Sequence, residues 1–145
     1  MRSNASSYAV NGRLSDVLAL IQVLALDKHA HRSEEGLERE LQGPPGSASS
    51  WSDIAGKHPE FFRLSAGTHR VSLVARHVTP READDSRQPL DADYTATLLK
   101  LAVELHDREM KRLERWQVWM PLAVAITAGV FTVFGVLLKS LLGTL

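Results

Sequence analysis

Residues 117–138, QVWMPLAVAITAGVFTVFGVLL, form a run of 22 positions without one charged side chain. A run of that length suffices for one bilayer-spanning helix, so the sequence predicts a transmembrane helix over 117–139 and a short tail at 140–145. Arg108, Lys111, Arg112 and Arg115 precede the run against Glu109 and Glu114, and only Lys139 follows it. Cations collect on the cytoplasmic side of a membrane. The expected topology is therefore single-pass, with the N-terminal part in the cytoplasm. Trp116 and Trp119 stand where an aromatic belt is expected. Ala125, Ala128, Gly129 and Thr132 supply the small side chains by which helices approach closely in lipid, and they are the expected residues of self-association within the span.

Composition excludes more than it identifies. The 145 residues carry 17 Lys/Arg and 17 Asp/Glu, a formal net charge of zero, and no cysteine. Bulk charge therefore announces neither a strongly basic nucleic-acid binder nor an acidic tail. Disulfides, thiolate metal sites and a cysteine nucleophile are excluded. With about 115 residues outside the apolar run, there is room for one compact domain and a connector. The first 12 residues lack the apolar core of a signal peptide and read as a flexible N-terminus. Arginine outnumbers lysine, a compositional mark of GC-rich bacterial genomes, so the bilayer in question would be a bacterial inner membrane.

Along the chain the hydrophobic period is first helical. Leu14, Val17, Leu18, Ile21, Leu24 and Ala25 share one face, which predicts an amphipathic helix over 13–28. Ser33 reads as the N-cap of a second, short helix with Glu34 and Glu35 in its first turn, and Gly43-Pro44-Pro45-Gly46 stops it. A third helix starts after Ser50, with Asp53 at capping-box spacing. Trp51, Ile54, Ala55 and His58 share its inner face. Two β-rich runs, 61–64 and 70–78, flank a glycine-containing turn and predict a hairpin. Residues 79–92 are polar and contain two prolines, which reads as a solvated linker. A connector helix over 93–116 then carries Leu99, Val103, His106, Met110 and Leu113 at heptad spacing. With no helix breaker before Pro121, it is expected to continue as one long helix into the apolar run.

Three helices followed by a two-stranded wing resemble a winged-helix domain over residues 13–78. The segment SSWSDIAGKHPEFFRLSAGTHRVSLVARHV is similar to the third helix, the corner and the wing of that family. The resemblance implies a mostly α fold with a small β-hairpin. It also implies that Ser52 and Lys57 on the third helix, and Thr68, His69 and Arg70 at the wing tip, would contact a partner protein or nucleic acid. Base readout favours Arg, Lys, Asn and Gln, and phosphate contact needs several cations. Residues 1–78 hold nine Lys/Arg against eight Asp/Glu, and Asp53 lies on the same helix. A protein partner is therefore favoured over nucleic acid.

Nothing in the sequence assembles a catalytic site. The Gly43–Gly46 corner is no phosphate loop, because its prolines lack the amide donors phosphate needs. His29 and His31 lie in a row of cations that disfavours a metal. No enzyme activity and no cofactor are expected. The leading expectation is a membrane-anchored interaction module. Its winged-helix domain docks a partner and its connector and terminal helices make a homo-oligomer, as in small bacterial effectors or adaptors of defence or signalling. A membrane-tethered nucleic-acid-binding regulator, and a structural subunit of a larger membrane complex, are the alternatives.

Overall fold

The structure, a computed structural model of the chain, describes residues 8–65, 67, 70–78, 80 and 87–142, with the backbone alone at 116–118, 122–123, 132–133, 136–138 and 140–142. It forms two compact units, Met1–Glu109 and Met110–Leu145. The fold is mostly helical with a small three-stranded sheet.

The first unit is built by local signals that then pack. Helix α1, Arg13–Leu26, buries Val17, Leu20, Ile21, Leu24 and Ala25. It is entered through Gly12 at φ 79°, a left-handed conformation that glycine adopts without a steric penalty. Strand β1, His31–Arg32, precedes α2, Glu34–Glu40, whose N-cap Ser33 accepts a hydrogen bond from the Gly36 amide at 3.3 Å. Helix α3, Trp51–Lys57, is capped by Ser50, whose hydroxyl accepts from the Asp53 amide at 3.0 Å. Trp51 is buried, and its ring nitrogen donates to the Gly43 carbonyl at 3.0 Å. That bond fixes the loop before α3 onto its first residue and satisfies a donor that burial would otherwise orphan.

Strands β2, Phe62–Leu64, and β3, Val71–Leu73, are antiparallel, with Phe62 opposite Leu73 and Leu64 opposite Val71. The expected two-stranded hairpin is a three-stranded sheet in the order β1-β3-β2, because β1 adds to the other edge of β3, His31 opposite Ser72. The chain leaves the sheet at Leu73 and turns into a 3-10 helix over Val74–Val78. This places Arg76 inward. Its guanidinium is fully buried and donates to the carbonyls of Leu24, Asp27, His29 and Arg87. Three of those acceptors lie at or just beyond the end of α1, where helix carbonyls lack intrahelical partners. Burial lowers the Arg76 pKa and the Asp27 carboxylate opposes that shift. Within the stretch read as a linker, Leu90 is buried and its amide donates to the Ala25 carbonyl at 2.9 Å.

The last helix, α4, runs over Ala92–Leu142 with Pro121 inside it. Its first turns close the core of the first unit through buried Thr95 and Ala102, with Leu98, Leu99 and Leu105 partly buried beside them.

The predicted transmembrane helix over 117–139 is not supported. Among the described residues, no helix is long and apolar enough to cross a membrane. Freedom from charge is a weaker condition than sustained apolarity. The single-pass anchor, the inner-membrane placement and the cytoplasmic orientation of the N-terminal domain lose their basis with it.

Candidate functional site

The contact surface implied by the winged-helix resemblance is committed internally. Ser52 donates its hydroxyl to Glu34 Oε2 at 2.6 Å, and its amide donates to the same oxygen at 2.9 Å. The Trp51 amide donates to Glu34 Oε1 at 2.6 Å. A carboxylate from α2 thus caps α3 and satisfies amides that a phosphate would otherwise seek. Lys57 forms an ion pair with Asp53 at 2.7 Å, one turn away on the same helix. Arg70 is exposed at the start of β3, while Thr68 and His69 lie outside the described residues. Glu34 was read in the sequence only as a first-turn acid of α2. Its reach to α3 spans 17 positions and has no local signal.

A partly buried polar cluster joins the N-terminal stretch to the corner after α3. Tyr8, 5% exposed, donates its phenol to Glu60 Oε1 at 2.7 Å. The same oxygen lies 3.0 Å from Nδ1 of His58, which is fully buried. The Tyr8 ring lies against His58 at 4.5 Å and edge-on to His106 of α4 at 5.8 Å, measured between ring centroids. Burial pushes the Glu60 carboxyl up, but hydrogen bonds to His58, Tyr8 and its own amide outweigh burial and hold it below the usual range. Burial, helped by the Glu60 and Glu109 carboxylates, pushes the Tyr8 phenol well up. Nε2 of His58 and Nδ1 of His106 are buried without a hydrogen-bond partner. The cluster holds Tyr8, from the stretch read as a flexible N-terminus, against the core, with Glu60 exposed at its edge. The sequence held no signal that Tyr8 would reach a residue 52 positions away.

His31 and His77 face each other at 6.0 Å beside Ser72, whose hydroxyl lies 3.1 Å from His77 Nε2. Among the described residues, no group of three or more His, Asp or Glu is arranged to hold a metal ion. A groove of about 410 Å³ between α1 and α2 is lined by Val23, Leu26, Asp27, Arg32 and Glu40. Its polar wall is tied together by the Asp27–Arg32 ion pair.

The residues expected on the connector helix divide. Leu99 and His106 are partly buried in the first unit, and Val103 is exposed. Met110 and Leu113 are partly buried in the second. Beyond them α4 shows its bulk to solvent: Trp119, Met120, Val124, Ile126, Val130, Phe131 and Phe134 are all at least 57% exposed. Ala125, Ala128 and Gly129 are exposed as well, and the Thr132 side chain lies outside the description. At about 100° of rotation per residue, these seven residues cover a little less than half of the helix. Pro121, Ala125, Ala128, Gly129 and Gly135 occupy the other side. Comparison with known proteins finds no matching family model, no matching curated protein and no matching solved structure.

Proposed function

We propose that this chain is a self-associating interaction protein without catalytic activity. Its N-terminal domain is a winged-helix-like docking module and α4 is its assembly element. The observation that carries the reading is the row of seven large apolar side chains left exposed on α4 from Trp119 to Phe134. Together they present several hundred Å² of apolar surface, on the order of the largest patch a typical monomer exposes. Burying such a face against another helix returns roughly 25 cal/mol per Å² before the costs of association.

The order α1-β1-α2-α3-β2-β3, with β3 central, supports the winged-helix likeness. A protein partner for that module is supported over nucleic acid by Glu34 and Asp53, which place carboxylates at the start of α3 and on its surface. Sedimentation equilibrium of the full chain tests the assembly. The wild type is expected to self-associate with rising concentration, and a Val124→Glu, Phe131→Glu double variant to remain monomeric with unchanged helix content. A wild type that stays monomeric into the tens of micromolar would overturn the reading.

A further inference from the structure

We infer that α4 pairs with α4 of a second copy in the antiparallel direction. This rests on the self-association proposed above and adds the identity and direction of the partner. The heptad steps that begin at Leu99 continue through Val103, His106, Met110, Leu113, Gln117, Met120, Val124, Thr127, Phe131 and Phe134, apolar at all but His106, Gln117 and Thr127. Sustained three-four spacing of this kind marks a coiled-coil seam. Met120, Val124, Phe131 and Phe134 fall within about 80° of one another around the helix, and each is at least 57% exposed. A partner for this seam must offer a charge-free helical face of the same length and the same spacing. The chain itself supplies one, and a two-fold pair makes a single patch complementary to itself.

Charge decides the direction. With Val103, Met110, Gln117, Val124 and Phe131 at position a of the heptad, and Leu99, His106, Leu113, Met120, Thr127 and Phe134 at d, Glu109 is a g residue and Glu114 the following e residue. In a parallel, in-register pair, g of one helix faces e of the other. Glu109 would meet Glu114 of the second copy on both sides of the seam. Like charges there disfavour that arrangement. Arg108, Lys111, Arg112 and Arg115 fall at outer positions and lie away from the acidic pairs. Turning one helix around sets Glu109 and Glu114 against the far end of the second copy, which carries Lys139 and no acid, and removes both repulsions. The register that seats a against d then pairs Met120 with Phe131 of the second copy.

Introduced cysteines test this cleanly, because the chain has none of its own. Met120→Cys and Phe131→Cys replace exposed side chains and are made separately in the full chain. Residues 120 and 131 are about 16 Å apart along a helix, whereas a disulfide requires Cα atoms within about 7 Å. Under mild oxidation, the mixture of the two variants is expected to give a cross-linked dimer that neither variant forms alone. Each variant cross-linking to itself would show a parallel pair, overturning the direction and leaving self-association intact. A dimer in sedimentation with no cross-link in any combination would overturn the seam. A monomer in sedimentation would overturn the self-association beneath it.

Discussion

Glu60 accepts hydrogen bonds from Tyr8 and His58 through one oxygen, and both bonds are best made to a carboxylate. Its folded pKa lies below the ordinary value of 4.5. A depressed carboxyl adds stability that is present above its unfolded pKa and is lost as pH falls through the folded one. The Tyr8 phenol has the opposite sign. Its folded pKa lies above the ordinary 10.0, so its contribution is complete below that pH and is lost as pH rises beyond it. Melting temperatures of the wild type, Glu60→Gln and Tyr8→Phe from pH 3 to 11 separate the two. The advantage of wild type over Glu60→Gln is expected at neutral pH and should shrink below pH 4.5. Wild type should lose more than Tyr8→Phe above pH 10. An advantage over Glu60→Gln that is the same at pH 3 and pH 7 would mean that the charge on Glu60 does not matter.

Among the elements, those with local causes were legible in the sequence and those with distant causes were not. The caps at Ser33 and Ser50 reach three residues onward, and the Gly-Pro-Pro-Gly corner needs no partner to stop α2. The inner face of α3 follows from helical spacing once its cap is placed. Strand β1 has two residues, too few to show alternation, and exists because β3 offers an open edge. Arg76 lies in a run that reads as strand, but it turns inward because the end of α1 leaves carbonyls without donors. The apolar run was read as a membrane span from its length and lack of charge, and among the described residues no helix meets the requirement of a span. On the candidate surface, the exposed bulk of α4 from Trp119 to Phe134 falls in the run read as a membrane span, whereas of the heptad residues read over 99–113 only Val103 is exposed. The occupation of the α3 N-terminus was not legible, because Glu34 belongs to another helix. Glu34→Ala should therefore cost the domain about 1–2 kcal/mol, as the loss of a helix cap does. Urea denaturation measures it, and a change within about 0.5 kcal/mol, the range of an ordinary surface substitution, would show that Ser50 alone holds the helix start.

At the scale of the whole molecule, the question is what a chain of zero formal net charge can hold. Nucleic-acid affinity comes largely from releasing counterions, and it requires cations grouped on one surface. In the N-terminal domain several cations are already engaged. Lys57 is paired with Asp53, Arg32 with Asp27, and Arg76 is buried under the end of α1. The α3 amides already hold a carboxylate. Arg63 and Arg70 remain exposed on and beside the hairpin, two charges where a winged-helix reader of DNA would need several. Titration of the full chain against mixed-sequence duplex DNA and against RNA, from 20 to 200 mM salt, is expected to show no binding tighter than about 100 µM, the weak end of non-specific affinity. Micromolar binding with a steep salt slope, lost in Arg63→Glu, Arg70→Glu, would place the hairpin on a phosphate backbone. The docking module would then be a nucleic-acid module, and α4 would serve to bring two such modules onto one strand. Salt-independent silence leaves the apolar face of α4 as the dominant recognition surface among the described residues. Assembly then governs what the N-terminal domain can hold, because a paired α4 presents two docking modules to one partner and raises the effective concentration of the second once the first is engaged.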